Sequence, residues 1–328
     1  MCHPRRPHNI SGRRVLAGSR WLFWSCGLIT LLALILFGRT SPLASVVLGI
    51  WLPLPILLVG WRLGTGKAAL LALVGALFVV ALTPGLAAWQ DDAGLWAILL
   101  MGLLLVIWRC RGWPEGSGIM VTVAFLGLLS LGFFLGQAYF QGLTPAQLWQ
   151  GRSQELGNAL TAMLADAGVS ISDLKLMGLP RVELQDLLIQ VLPALVLINY
   201  ALTAWINVLV GRKLAQAWGW ADQGEPLSLW ASPEWLVFFL VAAGFSLLVP
   251  VAWVRQTGLN LILILGFMYF CQGIAVIAAL LQRYQLPLVL RGVVYFLAFM
   301  NPLMIVVMIL GLTDLWLDFR MLQPPREP

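Results

Sequence analysis

The sequence predicts an all-α fold, a polytopic transmembrane helix bundle of about nine spans with a range of about eight to ten. Three observations carry that prediction. Of 328 residues, 60% are hydrophobic and 10% charged, where soluble domains carry about 25% charge. The apolar residues fall in blocks near the ~20 needed to cross a hydrocarbon core. Sixteen tryptophans suit the boundary between lipid and water.

The blocks run 21–37, 43–60, 67–83, 93–108, 119–140, 184–210, 234–253, 258–281 and 288–312. They are continuous rather than alternating, which points to helices and away from an outer-membrane barrel. The chain divides accordingly into a basic cytoplasmic tail (1–20), a front transmembrane bundle (21–140), an amphipathic loop helix (141–183), a rear transmembrane bundle (184–313) and a short tail (314–328). The tail holds Arg5, Arg6, Arg13, Arg14 and Arg20, so the net charge of +6 reads as an orientation signal and not as nucleic-acid binding. Ser11-Gly12-Arg13-Arg14 resembles a twin-arginine signal, but no small-x-small site follows Phe37, so the first span is expected to stay uncleaved.

Basic residues alternate between loops. Arg62 and Lys67, Arg109 and Arg111, Arg212 and Lys213, and Arg283 mark one side; the poorer loops of the other hold Arg39, Asp91-Asp92, a long segment with Arg152, Lys175 and Arg181, and Arg255. This predicts a multi-pass protein of the inner (cytoplasmic) membrane with a cytoplasmic N-terminus. Arg320 and Arg326 argue for an even number of spans, and the block broken by Pro53 and Pro55 is the one most open to miscounting.

In the longest connection, Thr144 is placed to cap a helix, Pro145 to begin it and Gly168 to end it. Leu148, Leu156, Leu160, Met163, Leu164 and Ala167 give that helix an apolar face, so it lies on the membrane or lids the bundle.

Gly60, Gly64, Ala68, Ala72 and Ala76 recur every four residues, a spacing that lets helices approach closely in lipid. On the sixth block Asp186, Gln190, Pro193, Tyr200, Thr203 and Asn207 share an arc of about 140°. Polar groups on a span face protein or an aqueous cavity, so the arc lines a small-molecule site or is interhelical hydrogen-bond glue. Pro193 should kink its helix. The eighth block adds Asn260, Tyr269 and Gln272, with Gly266 and Gly273 for close packing; Asn301-Pro302 marks a kink in the ninth. The candidate ligand-binding residues are therefore Gln190, Tyr200, Thr203, Asn207, Tyr269 and Gln272.

No catalytic constellation is present: Gly64-Thr65-Gly66-Lys67 lacks both the early glycine and the Ser/Thr of a phosphate loop, and no paired carboxylates face a cation. Asp314 and Asp318 near Arg320 read as a cap or interfacial ion pair. The cysteines Cys2, Cys26, Cys110 and Cys271 lie too far apart to indicate a disulfide framework or a metal site. No enzyme, cofactor or metal is expected.

Leu52-Pro53-Leu54-Pro55 leading into Arg62-Leu63-Gly64, Leu192-Pro193 before Asn199, Asn207 and Arg212, Gln272-Gly273, and the closing Gly311-Leu312-Thr313-Asp314-Leu315-Trp316-Leu317-Asp318-Phe319-Arg320 resemble the YybS-like family of predicted bacterial membrane proteins (domain of unknown function 2232). That family is distantly similar to the substrate-binding subunits of energy-coupling-factor transporters. The resemblance implies a non-enzymatic binder of a small, mostly uncharged molecule held between the two bundles, with the Gly60–Ala76 seam docking a partner protein. The alternative is a ligand-free membrane scaffold that organises partner proteins through that seam and the basic tail. Partners on either reading are the lipid bilayer and other membrane proteins.

Overall fold

The computed structural model describes residues 13–83, 93–166, 181–220 and 230–320. All regular structure among them is helical: α1 (Arg13–Gly38), α2 (Pro42–Gly49), α3 (Pro53–Leu63), α4 (Thr65–Leu82), α5 (Ala93–Cys110), α6 (Glu115–Phe140), α7 (Pro145–Asp166), α8 (Arg181–Ala217), α9 (Leu236–Ser246), α10 (Ala252–Arg283), α11 (Leu288–Ala298) and α12 (Leu303–Leu317). Seven segments are long and apolar enough to cross a membrane: Arg20–Gly38, Ala44–Leu63, Thr65–Leu82, Ala93–Cys110, Glu115–Phe140, Ile189–Ala217 and Ala252–Arg283. The seventh sequence block yields the shorter apolar helix α9. The ninth is not one kinked helix: α11 and α12 meet at 97° around Asn301-Pro302. Large apolar side chains are exposed along the helices, Leu128, Phe238 and Leu288 among them. A lipid solvent accepts such a surface and water does not.

The chain forms two compact units whose boundaries fall inside α6 and α8: Met1–Leu131 with Asn199–Glu225, and Gly132–Ile198 with Pro226–Pro328. In the first, α1, α3, α4 and α5 pack around Leu31, Ile35, Ile56, Leu57, Leu71, Val79 and Met101. Glycines set the approach. A methyl on Gly75 would meet Leu31 at 2.8 Å, and one on Gly102 would meet Pro53 at 3.2 Å. Gly64, at φ +93°, ends α3 and turns the chain into α4, a conformation that costs glycine nothing.

In the second unit α10 packs against α9 and α12. Gly273 and Gly311 seat the α10–α12 crossing: a methyl on Gly273 would overlap the Val307 carbonyl, and one on Gly311 the Tyr269 carbonyl. The α7 start follows the capping logic. Gln147 N–H donates to Thr144 Oγ1 at 3.3 Å, and Thr144 N–H donates to Gln147 Oε1 at 2.9 Å, a reciprocal capping box. Leu148 is buried and Leu156 exposed. The side chains of Leu160, Met163 and Leu164, and Ala167 and Gly168 altogether, lie outside the described residues. Cys110 is disulfide-bonded, which the cysteine spacing did not indicate, while Cys26 and Cys271 are free.

Candidate functional site

Proline opens the backbone of the second span. Pro53 has no N–H for the Gly49 carbonyl and Pro55 none for that of Trp51. Leu52 N–H takes the Gly49 carbonyl instead at 3.2 Å, and Leu54 N–H takes that of Trp51 at 3.1 Å. Leu54 would otherwise serve Ile50, whose carbonyl is thereby released from the helical ladder. Asn207, fully buried on α8, closes the gap: its Nδ2 donates to Ile50 O at 2.6 Å and to Thr203 O at 2.7 Å. About two turns away Tyr200 is buried, its hydroxyl 3.1 Å from Ser130 Oγ, and Thr203 is buried between them. Tyr200, Thr203 and Asn207 all belong to the first unit.

Gln190, Tyr269 and Gln272 belong to the second, and there the same device recurs. Pro193 sits inside α8. Across the turn it disturbs, the carboxamide of Asn260 accepts from Ala194 N–H at 2.8 Å and donates to Gln190 O at 2.7 Å. Those two backbone groups are the pair that an undisturbed helix would join directly. The Gln190 backbone is thus engaged, while its side chain is half-buried.

Gln272 is fully buried: its Oε1 accepts from Ser232 N–H at 3.2 Å and from the Ser232 hydroxyl, and its Nε2 donates to Asp314 Oδ2 at 3.2 Å. Asp318, in the left-handed region at φ 41°, turns the chain after α12 so that Arg320 folds back. Arg320 donates to Asp314 Oδ2 from Nη2 at 2.6 Å and from Nε at 3.0 Å, and to Trp230 O at 2.7 Å. Both partners of this ion pair are 2% exposed. Tyr269 lies against the crossing, its hydroxyl buried. Asn207 Oδ1, Tyr269 Oη and Asp314 Oδ1 are buried with no hydrogen-bond partner among the described residues.

The side chain of Asp186 lies outside the described residues. The small-residue row is split between two helices. Gly60 sits on α3 against Val106, Gly64 caps that helix, and Ala68 and Ala72 are buried on α4 with Ala76 half-buried.

Glu115 belongs to no motif or polar arc in the sequence, yet it is a centre of charge contacts. It accepts from Arg109 and, at 3.0 Å, from Arg212 Nη1, while the Arg109 guanidinium lies 4.1 Å from the Trp61 ring. A cavity of about 10 Å³ opens among Trp61, Trp108, Arg109, Glu115 and Val208. That is room for about one water, against about 300 Å³ or more for a small-molecule site. Among the described residues no group of three or more His, Cys, Asp or Glu side chains could hold a metal.

One family model matches residues 28–315, described as Predicted membrane protein (DUF2232). The chain belongs to that family. No curated protein and no solved structure matches it. In this DUF2232 chain the match takes in Asn207, Asn260, Gln272 and Asp314, and it ends before Arg320.

Proposed function

We propose that the protein is a non-enzymatic membrane scaffold whose buried polar groups hold its helices in place and whose outer surfaces meet other membrane proteins. The observation that supports this reading is Asn207, which spends both amide hydrogens on backbone carbonyls of its own unit. A side chain used that way has no donor left for a ligand. Gln272 is also turned to its own unit, its Oε1 accepting from Ser232 and its Nε2 donating to Asp314.

A second reading, a binder of a small uncharged molecule resembling an energy-coupling-factor substrate-binding subunit, draws on one kind of observation: the buried Asn207 Oδ1 in the first unit and, separately, the buried Tyr269 Oη in the second lack partners among the described residues. A ligand hydroxyl or amide would satisfy either one within its own unit.

Asn207→Ala separates the two. As a scaffold element it should melt earlier, with a loss of about 0.6 and at most about 2 kcal/mol. Protein purified from its own membranes should release no stoichiometric small molecule in native mass spectrometry. An unchanged melting temperature, with a bound molecule that Asn207→Ala loses, would favour the binder.

A further inference from the structure

One level of the first unit is basic and aromatic out of proportion to the rest. Trp21, Phe23 and Trp24 at the start of the α1 span meet the α3–α4 turn: Trp24 Nε1 donates to Lys67 O at 3.4 Å, and Lys67 Nζ lies 4.8 Å from the Trp21 ring. The Arg62 guanidinium lies 4.7 Å from the Phe23 ring and 5.2 Å from that of Trp220. Arg111 reaches over Trp108, which stacks on Trp113 at 4.6 Å. Gly211 on α8 packs against Trp61, which joins the Arg109–Glu115–Arg212 network to the same level.

Seven bases lie here, counting Arg20, Arg62, Lys67, Arg109, Arg111, Arg212 and Lys213, and Glu115 is the acid among them. Among the described residues no carboxylate pairs with Arg20, Arg62, Lys67, Arg111 or Lys213, and all five are exposed. Trp21, Trp113 and Trp218 are exposed beside them, at 63%, 43% and 49%. Indoles sit at the headgroup level of a bilayer, so the uncompensated cations are held at the depth of lipid phosphates. The aromatic faces beneath Arg62, Lys67 and Arg111 keep those three charged groups extended in place.

We propose that this girdle is a binding surface for the headgroups of anionic phospholipids. Charge complementarity selects them over zwitterionic lipid, since each base near an anionic leaflet favours the charged headgroup. Apart from Arg20, which ends the basic tail, these bases lie on α3, α4, α5 and α8 and in the turn after α5.

The test is lipid retention by the full chain in nanodiscs made from equal parts phosphatidylglycerol and phosphatidylcholine. Native mass spectrometry after extraction should find phosphatidylglycerol enriched on the wild type, and less so at high salt. The variant R62Q/K67Q/R111Q/K213Q should lose that preference by up to about fivefold for each base removed. It should melt with the wild type in phosphatidylcholine alone. R62K/R111K, which keeps the charge, should retain the preference. Equal retention of both lipids by the wild type, or an undiminished preference in the glutamine variant, would overturn the proposal. So would a wild type that ignores phosphatidylglycerol and binds soluble polyglutamate instead, because the surface would then fit an acidic protein.

Discussion

A carboxamide presents a donor and an acceptor in one plane, as a peptide group does, and two asparagines use that likeness inside apolar helices. Asn260 spans Ala194 N–H and Gln190 O; Asn207 takes the carbonyl of Ile50. In lipid no water can serve a backbone group that proline releases, so each opening needs a side chain brought from another helix. The Asp314–Arg320 pair answers a different demand. Removing the cation leaves a carboxylate with almost no solvent, so Arg320→Gln should destabilise the protein by about 3–5 kcal/mol, read as a fall in melting temperature. Adding Asp314→Asn to Arg320→Gln should recover part of the loss; no recovery would mean that the bond to Trp230 O carries the effect. The polar arc on the sixth block was legible as inward-facing for Tyr200, Thr203 and Asn207, because hydroxyl and amide groups avoid lipid. Their partners were not. Ile50 and Ser130 lie 157 and 70 residues from Asn207 and Tyr200, and a backbone carbonyl leaves no trace in composition.

Helices were readable from the length of their apolar runs, and their breaks from proline, yet the size of a break was not. Asn301-Pro302 reads as a kink and the structure turns through 97° there. Periodicity cannot tell a bent helix from two helices, since the apolar run continues across the bend. Small residues show the same limit. The row from Gly60 to Ala76 obeys a four-residue spacing, but Gly64 ends a helix within it, and the approaches are set by Gly75, Gly102, Gly273 and Gly311 as well. Gly273→Ala tests the tightest of these crossings. With the Val307 carbonyl in the way, α10 and α12 must separate, at a cost of about 1–3 kcal/mol. Gly132→Ala, whose methyl would meet nothing within 4 Å, should leave the melting temperature unchanged. Equal behaviour of the two variants would mean that the crossing is loose.

The whole molecule is a helical membrane protein in two compact units, and the proposed orientation follows from its charges. Arg62, Lys67, Arg109, Arg111, Arg212 and Lys213 fall in alternate loops of the chain, and on the proposed orientation those loops and the N-terminus face the cytoplasm while α7 lies on the opposite side. Cysteine labelling at Ser11 and at the exposed Ser153 neighbour Gln154 should therefore come from opposite sides of the membrane. Labelling of both from one side would reverse or break this topology. What unites both units is that proline breaks and asparagine closes, and a double-mutant cycle between Pro193 and Asn260 tests that most directly. In the natural background Asn260→Ala strands Gln190 O and Ala194 N–H and should lower stability by about 1 kcal/mol. Pro193→Ala restores an N–H for the Ile189 carbonyl and lets the turn close on itself. In that background Asn260→Ala should cost little, giving a coupling of about 0.6 and up to about 1.7 kcal/mol in thermal or chemical unfolding. Additive losses, with Asn260→Ala equally costly whether or not the proline is present, would contradict the account.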